Sequence, residues 1–109
     1  MGKVIIYGAG QLGVMAADIL GQDKGTLVVG FVDDDPGLRG KAIAGRRVLG
    51  YESDIHTIAQ RYPFDELWLS FSPSSAKRSR LQMLCHENNI RLYVIPDLEP
   101  FSKFFNNHP

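Results

Sequence analysis

Gly8-Ala9-Gly10-Gln11-Leu12-Gly13 is the stretch of this chain with the types and spacing to hold a phosphate. It fits G-x-G-x-x-G and lies between an apolar run and a helical pattern. In that setting Gly8 permits a tight turn, Gly10 lets an anion approach the backbone, and Gly13 lets the next helix pack on the preceding strand. The amides around Ala9 to Leu12 open a helix N-terminus, where unpaired N–H groups favour an anion. Asp33 lies 20 residues beyond Gly13 and opens Asp33-Asp34-Asp35-Pro36. A carboxylate there is placed to accept from ribose hydroxyls and to disfavour a 2′-phosphate. The two features point to NAD or a uridine nucleotide such as a UDP-sugar, rather than NADP. The glycine pattern alone is weak in a chain with 11 glycines, and a tight turn kept without any ligand is the competing reading.

A second loop, Ser72-Pro73-Ser74-Ser75, falls where a nucleotide would meet the other wall of such a site. Its hydroxyls suit a phosphate or ribose, and equally suit capping a helix. The expected nucleotide-binding set is therefore Gly8, Ala9, Gly10, Gln11, Leu12, Gly13, Asp33, Asp34, Ser72 and Ser74. No catalytic residue and no metal ligand joins it. A tyrosine four residues before a lysine, as short-chain oxidoreductases need, is absent: Tyr7, Tyr51, Tyr62 and Tyr93 are followed at that spacing by Gln11, Ile55, Glu66 and Asp97. His56, His86 and His108 share no metal-ligand spacing with one another or with Cys85. Cys85 falls on the apolar face of a predicted helix and reads as core. Lys77, Arg78 and Arg80 read as a solvated helix face, and Arg39, Lys41, Arg46 and Arg47 as a solvated loop.

The elements that must position these residues alternate in kind. Lys3–Tyr7, Thr26–Val32, Glu66–Phe71 and Arg91–Ile95 are short β-rich apolar runs and predict buried strands. Arg47-Val48-Leu49 predicts a short edge strand after an irregular glycine-bearing loop. Helices are predicted from Gln11 to Leu20 with Gly21 as a stop, from a cap at Ser53 or Asp54 to Tyr62, and from a cap at Ser74 or Ser75 to Asn88-Asn89. Strand–helix alternation implies an α/β fold, a Rossmann-like parallel sheet of four to five strands with helices on both faces. The expected strand order is 3-2-1-4-5, with Val48 in strand 3.

The chain has 109 residues, 12 basic and 12 acidic, for a formal net charge of zero. Apolar residues make up 44%, enough for one ordinary domain over residues 1–109. Neutrality argues against a nucleic-acid partner. With one cysteine and no long apolar run, a cytoplasmic domain without a membrane span is expected. The tail from Asp97 to Pro109, with Phe101, Phe104 and Phe105, reads as a link to a further segment of a longer protein. An exposed aromatic tail on a neutral domain is also compatible with a homo-oligomer.

Several segments together carry a family resemblance. They are Val29 to Pro36, Gly45-Arg46-Arg47-Val48-Leu49-Gly50, Phe64 to Ser70, and Arg91-Leu92-Tyr93-Val94-Ile95-Pro96-Asp97-Leu98. The chain resembles the NAD- or CoA-binding-like domain of bacterial polysaccharide-biosynthesis proteins. The last two segments are similar to the cytosolic central domain of the transferases that load a hexose-1-phosphate onto undecaprenyl phosphate. The resemblance implies a non-catalytic regulatory or scaffolding domain of an inner-membrane protein that starts exopolysaccharide, capsule or O-antigen assembly, with the remaining domains of that protein as partners. Two other resemblances imply other functions. One is to the Rossmann domain before sugar-nucleotide dehydratases. The other is to the NAD-sensing half of redox repressors, which share the Gly-x-Gly and Asp-Asp-Asp-Pro layout.

Overall fold

The structure is a computed structural model, described here for residues 2–98. Strand β1 (Gly2–Tyr7) leads into helix α1 (Gln11–Gly21), then β2 (Thr26–Val32). A hairpin of β3 (Ala42–Ile43) and β4 (Arg46–Gly50) follows, then α2 (Ile55–Arg61), β5 (Glu66–Leu69), α3 (Ser75–Glu87) and β6 (Arg91–Val94). The sheet order is β3-β4-β2-β1-β5-β6. All neighbours pair in parallel except β3 with β4. This is the expected 3-2-1-4-5 arrangement with one more strand at its edge, and it defines a Rossmann-like α/β fold.

Strand alternation divides the core. Val4, Ile6, Val28, Phe31 and Val48 face α1, where Ala16 and Ala17 let the helix sit close. Ile5, Tyr7, Val32, Leu67 and Leu69 face α2 and α3, against Ile55, Ile58, Leu81 and Cys85. Val28 and Phe31 share a face although they are an odd number of positions, three, apart. A register shift between Val4↔Val28 and Ile5↔Gly30 supplies the extra residue.

Several boundaries differ from the sequence-based expectation. Arg47–Leu49 lies one strand in from the edge, because Ala42–Ile43 pairs antiparallel with Arg46–Arg47. The turn between them puts Ala44 and Gly45 at φ +49° and +82°, the backbone of a two-residue hairpin. The strand expected to reach Phe71 stops at Leu69, and the last strand stops at Val94, where Ile95–Asp97 forms a 3-10 turn containing Pro96. Gly21 ends α1 as its last helical residue, and Gln22 caps it in right-handed conformation. Asp54 caps backwards: its Oδ2 accepts from Tyr51 N–H at 2.8 Å. Phe101, Phe104 and Phe105 lie outside the described residues. Among the described residues no helix is long and apolar enough to cross a membrane.

Candidate functional site

The first βα turn sits at the carboxyl end of β1, in the middle of the sheet. Gly8 has φ +107°, and a Cβ there would overlap the Ser70 hydroxyl. A Cβ at Gly13 would overlap the Gly8 carbonyl oxygen. These two glycines are demanded by the fold itself, one by its backbone angle and both by close approach. Gly10 differs. Its backbone is ordinary at φ −81°, and nothing lies within 4 Å of the position a Cβ would take. Gly10 is also the N-cap of α1, so no side chain caps the helix, and the first turn carries no acid. Val14 N–H bonds the Gly10 carbonyl at 3.0 Å. The amides of Gln11, Leu12 and Gly13 have no acceptor within the helix. The result is an open, uncapped positive helix end.

Asp33 is fixed beside this turn. Its Oδ2 accepts from Ala9 N–H and its Oδ1 from Asp35 N–H, both at 2.9 Å. Two backbone donors thus orient the carboxylate, and each oxygen keeps acceptor capacity for one further donor. A ribose diol offers two.

Asp34 turns to the other side of the sheet. Its carboxylate accepts from the buried Tyr7 hydroxyl and from Glu52 N–H, and Lys77 Nζ lies 3.4 Å away. Burial works to raise its pKa. The Glu52 amide, the Tyr7 hydroxyl and Lys77 outweigh that and hold it below the ordinary carboxylate range. Glu52 lies 3.2 Å from the Tyr7 hydroxyl and 3.4 Å from Lys77, and Arg80 grips it through Nε at 2.6 Å and Nη2 at 3.0 Å. Arg80 is the main cause of its lowered pKa. Burial and the two carboxylates hold the Tyr7 phenol protonated far above its usual range. Lys77 also sits over the rings of Tyr7 and Phe71, at 4.9 and 5.3 Å. Lys77 and Arg80, expected on a solvated face, therefore tie α3 to the loops after β2 and β4. Tyr7, Glu52 and Lys77 belong to three separate elements, and no spacing in the sequence signals their meeting.

On the opposite wall, Ser74 caps α3, accepting from Lys77 N–H at 3.2 Å. Ser72 is exposed in the loop. The serine that touches the glycine turn is Ser70, whose hydroxyl lies 3.2 and 3.1 Å from the carbonyls of Tyr7 and Gly8. Sequence reasoning passed it over as a strand residue. Its only signal is its place one residue beyond the apolar run of the neighbouring strand. Cys85 is buried among apolar groups, and burial pushes its thiol up to about 11.

Fold and turn together define a Rossmann-like domain whose open helix end and oriented acid fit a ribose-linked phosphate. Similar solved structures share the fold. UDP-D-quinovosamine 4-dehydrogenase from Vibrio fischeri is 22% identical with a TM-score of 0.75, covering 94% of this chain and 84% of that one. RSP, a Rex-family repressor, in complex with β-NADH is 19% identical with a TM-score of 0.69, covering 95% of this chain and 56% of that one. GDP-perosamine N-acetyltransferase from Caulobacter crescentus, in complex with CoA and GDP-perosamine, is 21% identical with a TM-score of 0.61, over 83% of this chain and 40% of that one. No protein-family model matches the chain, and no curated protein sequence matches it.

Proposed function

We propose that this chain is a nucleotide-binding domain that holds NAD at the N-terminus of α1, as part of a protein that oxidises or dehydrates sugar nucleotides. Gly10 carries the reading. Neither its backbone angle nor any neighbour requires glycine there, so an external group approaching the amides is the physical reason for the missing side chain. Asp33 accepts from the ribose hydroxyls, and its charge disfavours the 2′-phosphate of NADP. Ser72, exposed on the facing loop, is available to the far end of the ligand. Ser74 keeps its capping bond. NAD, when bound, supplies a hydride acceptor. This chain's residues bind and orient it, and any proton-transferring residue comes from elsewhere in the protein. The dehydrogenase neighbour supports a sugar-nucleotide context, and the repressor neighbour supports NADH as the ligand class.

The reading as a regulatory domain of an undecaprenyl-phosphate sugar-phosphate transferase rests on the strand segments from Phe64 to Ser70 and from Arg91 to Leu98. No similar solved structure named above is such a transferase, so the NAD reading takes precedence. The test is an amide-NMR titration with NAD, UDP and a UDP-hexose in turn. Saturable shifts at Gly8 to Gly13 and Asp33 with NAD are expected. Preference for the UDP-hexose would move the assignment to a sugar-nucleotide site, and no shifts at millimolar ligand would overturn nucleotide binding altogether.

A further inference from the structure

A cavity of about 330 Å³ lies at the β4 end of the sheet, between α2 and the loop after β2. Leu49 and Ile58 give it an apolar lining. Arg39 from the loop, Arg47 from β4 and Arg61 from the last turn of α2 line it, with Asp54 as its one acid. That excess of positive charge is local, since the whole chain is neutral.

Of the three arginines, Arg39 alone has an ionic partner among the described residues, Asp54. Arg47 Nη1 donates to the Gly40 carbonyl at 2.6 Å, a partner with no charge. Arg39 lies over the Tyr51 ring at 4.7 Å and stands 3.6 Å from Asp54, too far for a hydrogen bond. The Asp54 carboxylate is already engaged by Tyr51 N–H. Arg61 forms no ion pair among the described residues. Its position would suit the helix dipole alone. Arg47 sits mid-strand on the same cavity, and no dipole accounts for it. Its sequence neighbour Arg46, on the other face of β4, meets Asp18 at 3.4 Å. Gathering like charges costs free energy, which an oxyanion would relieve, and planar guanidiniums match the geometry of a phosphoryl group.

We propose that this cavity is a second anion site, built to hold a phosphoryl group and independent of the α1 site. The test titrates the full chain with inorganic phosphate, pyrophosphate and AMP while following arginine Nε–Hε resonances, with sodium chloride at matched ionic strength as the control. Saturable shifts at Arg39, Arg47 and Arg61 are expected with phosphoryl ligands and not with chloride. Arg47→Gln and Arg61→Gln should each weaken binding roughly tenfold. Thr57→Glu, which adds a carboxylate to the cavity from an exposed position, should abolish it. Gly10→Asp should leave it intact, which separates failure of this site from failure of the α1 site. Tighter binding of AMP than of phosphate assigns the site to the phosphate of a nucleotide, and equal or weaker binding assigns it to free phosphate. Shifts that do not saturate by about 10 mM, that chloride reproduces, or that survive both arginine variants overturn the proposal.

Discussion

At Gly13 a single added methyl would run into the Gly8 carbonyl, whereas at Gly10 the same methyl would meet nothing. The three glycines of one motif therefore answer to different physics, and substitution can separate them. Gly13→Ala should cost about 3 kcal/mol, near the top of the overpacking range. That corresponds to a melting temperature lower by more than about 10 °C in a domain of this size. Gly10→Asp should do the reverse. It supplies the missing N-cap and an acid at the positive helix end, so the melting temperature should hold or rise by up to roughly 5 °C. The same carboxylate occupies the place of the proposed phosphate, so NAD binding should be lost. Calorimetric melting and NAD titration of both variants check this. A Gly10→Asp protein that still binds NAD would place the ligand elsewhere.

The elements around the site are held by a clasp of charged side chains, and its behaviour follows from the direction of its pKa shifts. Asp34 is held below its ordinary value by the Glu52 amide, Tyr7 and Lys77, and Glu52 by Arg80 and Lys77. Their contribution is fully present above the ordinary carboxylate range and is lost as pH falls through their lowered values. Tyr7 is shifted upward, so its contribution is lost as pH climbs above the ordinary phenol range. Urea midpoints measured from pH 7 to pH 3 should fall on the acid side, and Glu52→Gln should flatten that fall. An acid limb unchanged in Glu52→Gln would mean that the Glu52 carboxylate contributes nothing to the acid dependence. This clasp also marks the limit of what the sequence discloses. The glycine turn and Asp33 were legible because strand, turn and helix are contiguous, and the strand order followed from alternation and right-handed crossovers. Strand β3 was hidden because two residues, Ala42 and Ile43, carry no periodicity. Lys77 looked solvated because its partners, Asp34 and Glu52, lie 43 and 25 residues away.

Across the whole molecule the two halves of the core share one sheet. Ile6 on the α1 side and Leu67 on the α2–α3 side are both completely buried, and Ile5 and Ile6 are adjacent residues on opposite faces of the central strand. Both faces pack on the same paired strands β1, β2 and β5, so unfolding should be a single transition. Ile6→Ala and Leu67→Ala should each cost about 3 kcal/mol through lost burial and a residual cavity. The chain's one tryptophan, Trp68, stacks on Tyr93 at 4.8 Å and packs at the margin of the α1-side core, while most of the helical signal comes from both faces. Urea transitions followed by tryptophan fluorescence and by far-ultraviolet circular dichroism should coincide in the parent and in both variants. Separation of the two curves in Leu67→Ala alone would show that the α2–α3 face melts first. The clasp that joins α3 to the loops after β2 and β4 would then be a local fastening, and the α1 site, resting on the other face, should keep its NAD affinity in that partly unfolded state.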